Sequence, residues 1–193
     1  DDAVNTQMNK LMNKWGLELP QGNIVDIVSS TISDTRSPII RRGSYNLDHP
    51  ITKPLDDTFF TEATGILDII VRAPEGLPPN PDERNITLTP IAITSVASCI
   101  TTESDVNDCS GDNDIFGPFP IVMAVEAIAT VGEEPVPVVP GEERKPTSIV
   151  VFGDSDFASN QFYYALNNSD FFLNAVDWLA EKGAKLKAQW ELK

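Results

Sequence analysis

The run Ser148–Ile149–Val150–Val151–Phe152–Gly153–Asp154–Ser155–Asp156–Phe157 constrains the fold more than any other part of the chain. A short apolar run closed by glycine predicts a strand buried on both faces. Further on, Asp170–Leu179 places Phe171, Ala175, Val176, Trp178 and Leu179 near one side of a helix, with Asp170 as its N-cap. Strand, turn and helix in that order predict a βα unit. Open α/β sheets place their ligands at the carboxyl ends of such strands. The turn Gly153–Asp154–Ser155–Asp156 is therefore the first candidate site.

The rest of the chain supplies more strands than helices. Met8, Leu11, Met12 and Trp15 recur at helical spacing over 5–15, and Gly16 stops that helix. Strands are predicted at 24–28, 38–40, 58–60, 65–71 and 85–89 with 91–94; residues 120–129 fit helix or strand and are read as strand from their alternation, and the polar segment Ser29–Ser37 reads as loop. Thr52 is placed to cap a short helix with Pro54 early in it, ending near Asp57. Two helices are predicted after the organising strand, over 156–166 and 170–182. Gly183 would end the second, and Leu186, Ala188, Trp190 and Leu192 alternate as a final strand would. Residues 74–82, with four prolines, and the Pro/Glu-rich stretch 132–146 read as surface loops within one domain covering 1–193.

Composition narrows the function classes. A chain of 193 residues with 41% hydrophobic side chains can build one substantial core. A formal charge of −15 repels phosphate backbones and anionic headgroups, which argues against nucleic-acid binding and peripheral membrane binding. It suits a solvated surface, or recruitment of a basic partner or divalent cations. The sequence contains no apolar run of about eighteen residues. Asp1–Asp2–Ala3 is not a signal peptide, so the chain reads as an excised domain whose flanking segments would carry any membrane contact.

Catalytic arrangements are hard to assemble from these residues. Gly153–Asp154–Ser155 resembles a serine-nucleophile turn, but a serine needs a base oriented by an acid. The single histidine, His49, lies far upstream in a turn before Pro50. Asp154 and Asp156 have the alternation that holds magnesium for phosphoryl transfer, and they define the rival reading, a metal-dependent hydrolase using Gly153–Asp156. Against it, Asp154 can accept N–H groups of its own turn while Asp156 caps the next helix. The acidic stretch 105–114 lacks the glycine and glutamate of an EF-hand, and no phosphate-binding glycine loop occurs. Cys99 and Cys109, ten residues apart, are placed either to close a small loop as a disulfide in an oxidising compartment or to remain two thiols. With one histidine they do not make a tetrahedral zinc site. No cofactor is called for.

Three sets of residues together suggest a family. One is Val150–Asn160 followed by Asn168 and Phe171–Leu179. The others are His49–Pro50–Ile51–Thr52 and Phe116–Gly117–Pro118, with an opening helix that leads into Gly16–Leu17. This pattern resembles the gliding-motility-type (GldG-like) ABC transporter auxiliary proteins. The resemblance implies a Rossmann-like, class I glutamine-amidotransferase-like α/β sandwich with a mixed sheet, long surface loops and no catalytic pair. It also implies a membrane-anchored protein working on the extracytoplasmic face beside ABC permease and ATPase subunits. On this reading the domain is non-catalytic and recognises a partner subunit or a transported solute, a saccharide among the options. Its recognition or structural elements would be Gly153, Asp154, Ser155, Asp156 and Asn160 packed with His49 and Thr52.

Overall fold

The computed structural model describes residues 2–70, 86–103, 107–127 and 147–191, with side chains from 7 to 181 within those ranges. The expected loops at 74–82 and 132–146 lie outside the described residues, as do Asp105, the end of the 120–129 strand and the tail of the final one. Helix α1 covers Asp2–Met12 and tightens into a 3₁₀ turn before Gly16, whose φ of 76° supplies the left-handed residue that ends a helix there. The strands are β1 Leu17–Glu18, β2 Asn23–Asp26, β3 Ser30–Thr31, β4 Asp34–Ile40, β5 Thr58–Phe59, β6 Leu67–Asp68, β7 Ile86–Ile93, β8 Ser98–Thr101, β9 Ile115–Phe116, β10 Pro120–Ala127 and β11 Thr147–Phe152. Helix α2 runs over Asn168–Glu191.

The architecture is mixed α/β, dominated by small sheets in the orders β11-β10-β7, β2-β8-β9, β3-β4-β5 and β1-β6. Every ladder between these strands is antiparallel. The strand buried on both faces is not β11 but β10. β10 sits between two neighbours, so Val122 and Ala124 enter one core cluster while Met123 and Val125 enter the other. β11 lies at the edge of that sheet, and along it only Val151 is buried. β7 carries Pro90 without breaking: it is the last strand in its sheet's order, and the register shifts beside the Met123–Pro90 pair.

One irregular segment, 58–69, ties the sheets together through its backbone. It leaves β4 with Phe60 N–H donating to Pro38 (3.0 Å) and Glu62 N–H to Arg36 (3.2 Å). Ala63 then accepts from Ile24 (2.7 Å), Thr64 donates to Gly153 (2.8 Å), Ile66 to Pro120 (2.8 Å) and Ile69 to Gly16 (2.9 Å). A buried backbone must find partners somewhere, and this one finds them on five different parts of the chain.

Several local expectations change in the folded chain. Residues 29–37 form the β3–β4 hairpin rather than a loop: the Thr31 hydroxyl donates to the Asp34 carbonyl across the turn, and the Asp34 carboxylate accepts from the Arg36 N–H and the Ser37 hydroxyl at the start of β4. Thr52 caps no helix; its hydroxyl donates to the Asn46 carbonyl in a chain of turns. The 156–166 helix is only a 3₁₀ turn at Asp156–Ala158 followed by further turns, with Leu166 at φ 48°. Gly183 does not end α2, and the expected final strand is helix. An interior glycine costs about 1 kcal/mol relative to alanine, and the alanines, lysines and leucine around it favour helix. Val176, expected to face inward, is 45% exposed; Phe171, Ala175 and Trp178 face the core.

Candidate functional site

Gly153 follows β11 where the chain must pass close to the segment 58–69. A side chain there would put its Cβ 2.0 Å from the Thr64 carbonyl oxygen, so only glycine fits. Its N–H donates to Ile121 (2.8 Å) and its carbonyl accepts from Thr64 (2.8 Å). The turn is thereby locked to the sheet on one side and to the central segment on the other.

Asp154 is 9% exposed, and both its carboxylate oxygens are engaged: Oδ2 accepts from the Thr61 N–H (3.0 Å) and Oδ1 from the Asp156 N–H (2.6 Å). Burial raises its pKa above the ordinary 3.8, and the two N–H donors oppose that shift. The carboxylate serves as a clasp between the turn and residue 61. Ser155, Asp156 and Asn160 are exposed. Among the described residues no group of three or more His, Cys, Asp or Glu is arranged to hold a metal ion.

His49 and Thr52 belong to a separate set of turns. His49 Nδ1 accepts from the Ile51 N–H (3.3 Å), and its ring lies 5.0 Å from that of Trp178. Thr52 is fully buried. Asn174 donates to the Ile51 carbonyl (3.0 Å), so α2 supports this segment as it supports the other through Phe157 and Phe171. Gly153–Asp154 has hydrogen bonds to 61–64, 121 and 156, and His49–Thr52 has hydrogen bonds to 46–55 and to α2.

Two polar anchors were not expected from the sequence. Asn168, fully buried, faces the open edge of β5 as a strand would. Its Oδ1 accepts from the Phe59 N–H (2.9 Å), and its Nδ2 donates to the carbonyls of Phe59 (2.8 Å), Phe162 (3.1 Å) and Phe157 (3.2 Å). In sequence it shows only as part of the Asn167–Asn168–Ser169 triplet and of the family resemblance. Asp26, also fully buried, accepts from the N–H groups of Val28, Ser29 and Ser95 and from the Ser95 hydroxyl. Ser95 is remote in sequence, so nothing local marks the pair. Around Phe171 the rings of Tyr45, Phe60, Phe152 and Phe157 close an aromatic core at 5.3–6.5 Å. Cys99 and Cys109 are joined, which ties β8 to the loop that follows it.

These contacts hold shape. The arrangement fixes an exposed turn and loop over 155–167 against the core and presents an acidic, aromatic surface. His49, the single imidazole, is engaged with the Ile51 N–H and the Trp178 ring.

No curated protein matches the chain in sequence. A solved structure described as "mmIFT52 N-terminal domain" is similar over 89% of this chain, at 11% identity and a TM-score of 0.49. The match spans 56% of that structure's own length, and at this level it carries no argument about fold or function. A family model described as an ABC-type uncharacterized transport system matches residues 1–175, and the chain belongs to that family.

Proposed function

We propose that the chain is a non-catalytic domain of an ABC-transporter auxiliary protein that works by recognising a partner subunit, with a transported solute such as a saccharide as a further ligand. The observation that carries the reading is the commitment of Asp154. In the turn Gly153–Asp156, the one buried carboxylate spends both oxygens on backbone N–H groups. Membership of the family associates the domain with an ABC-type transport system. No helix among the described residues is long and apolar enough to cross a membrane. The Cys99–Cys109 bond supports an extracytoplasmic location, where disulfides persist. Anchoring through flanking segments, the gliding-motility subtype and the pairing of His49–Thr52 with Gly153–Asn160 as one recognition element belong to the same proposal. Shared support from α2 favours that pairing. The Rossmann-like, amidotransferase-like sandwich is likewise proposed. The strand–turn–helix order of β11 and α2 supports it, and it requires parallel neighbours beyond the antiparallel pairs described.

The test is co-expression of the full-length protein with the ATPase and permease of its own system. Co-purification as a complex and altered ATP hydrolysis are expected; a permease–ATPase pair indifferent to the chain in both assays refutes the role. Calorimetric titration with magnesium, calcium and manganese tests the hydrolase alternative. Stoichiometric binding lost in Asp154→Asn, together with ester or phosphate turnover, would overturn the non-catalytic reading.

A further inference from the structure

The outward side of α2 is apolar where a solvated helix is polar. Phe172, Leu173 and Val176 are 37%, 48% and 45% exposed, while Phe171, Ala175 and Trp178 on the opposite side are buried. The preceding loop extends this stripe: the Tyr163 ring lies 6.4 Å from Phe172 and 5.0 Å from Tyr164, which is 84% exposed. The loop is held in place rather than free to fold over the patch. Asp154 clasps its start, Asn168 grips the carbonyls of Phe157 and Phe162, and Leu166 is fixed at a φ of 48°.

Charge indicates what covers this surface. Asp170, Asp177 and Glu181 are exposed and lie along one line of α2 beside Leu173. From 147 to 181 the sequence has five acidic residues and neither lysine nor arginine; Lys182, Lys185 and Lys187 follow in the last part of α2. A second copy meeting this face over 170–181 would set carboxylates against carboxylates on chains that each carry −15. Anionic lipid is repelled for the same reason. A segment that offers apolar side chains to the stripe and lysine or arginine to the acidic line satisfies both features. Helices present that combination at i, i+3, i+4 and i+7.

We infer that the exposed face of α2, with Tyr164 and the loop before it, is a docking surface for a basic amphipathic helix of a protein partner. The inference rests on the partner-recognition role proposed above and assigns that role to a particular face.

The probe is a synthetic helical peptide with leucine on one face and lysine on the other, titrated into the full chain at physiological ionic strength by fluorescence anisotropy. Binding is expected. Leu173→Ser/Val176→Ser, both at exposed positions, should weaken it by about tenfold or more. Asp177→Asn/Glu181→Gln should weaken it several-fold. Glu103→Gln/Asp112→Asn, removing exposed charge elsewhere, should change it by less than about twofold.

Absence of binding, indifference to Leu173→Ser/Val176→Ser, or an equal loss in the remote pair overturns the inference, the last because net charge alone would then explain the affinity. Self-association in sedimentation abolished by Leu173→Ser assigns the face to a second copy instead, and vesicle binding abolished by it assigns the face to lipid. Should Leu173→Ser/Val176→Ser leave assembly with the permease and ATPase intact, the docking surface fails while the auxiliary role stands.

Discussion

Replacing Asn168 by alanine removes the one side chain that closes the edge of β5. In the folded chain its amide serves both the N–H and the carbonyl of Phe59 and, across the loop, the carbonyls of Phe157 and Phe162. Each buried group left without a partner costs about 1–3 kcal/mol, so the two groups of Phe59 alone set a loss of about 2–6 kcal/mol. A water entering the space vacated by the amide would reduce this, which leaves about 3 kcal/mol as the expected value. For a chain of this size that corresponds to a fall in Tm of about 6–12 °C. The measurement is equilibrium urea unfolding followed by circular dichroism, with hydrogen exchange of the amides at 159–167 as a local readout. Asn168→Asp should be worse than alanine at neutral pH, because it places a carboxylate oxygen against three carbonyls. Its deficit should shrink on acidification, when the carboxyl can donate again. A loss below about 1 kcal/mol for the alanine variant, with unchanged exchange in the loop, would refute the claim that this amide holds the loop.

Gly153→Ala should destabilise by more than about 2 kcal/mol in the same assay, since its Cβ would meet backbone rather than a flexible side chain. Cys99→Ala/Cys109→Ala should cost about 2–3 kcal/mol for a loop of this length, read as the shift in denaturation midpoint against oxidised wild type. Asp154 has its pKa raised by burial, so the folded state binds its proton more tightly than the unfolded state does. The stabilisation from that proton is complete below the ordinary pKa of 3.8 and is lost as pH rises through the higher folded value. Wild type minus Asp154→Asn, compared across pH 3 to 7, should therefore fall with increasing pH above about 4; a difference that rises instead would mean the two N–H donors outweigh burial.

How much is legible in the sequence depends on whether the governing contact is local. The opening helix and its stop at Gly16 can be read because a four-residue period and a left-handed glycine are both written in neighbouring residues. β10 and β11 can be located by their apolar runs, but their ranks in the sheet come out reversed, since an apolar run does not say how many neighbours it has. The 156–166 segment fails as a helix because Asn168 and Asp154 claim its backbone from outside. Of the site, the anchoring role of Asp154 is one of two alternatives that its turn allows, whereas its partner Thr61 lies 93 residues away.

Neighbouring residues alone set the inventory: strands in excess of helices, an acidic composition, a glycine–aspartate turn after an apolar strand, one imidazole, and two cysteines ten residues apart. Long-range contacts set the rest: β10 is the centre, an irregular stretch at 58–69 ties the sheets together, and α2 turns an apolar, acid-lined face outward. Periodicity and turn chemistry act over a few residues. Backbone groups in a buried irregular segment must instead be satisfied wherever the folded chain brings a partner, and that is set by contacts up to 123 residues apart.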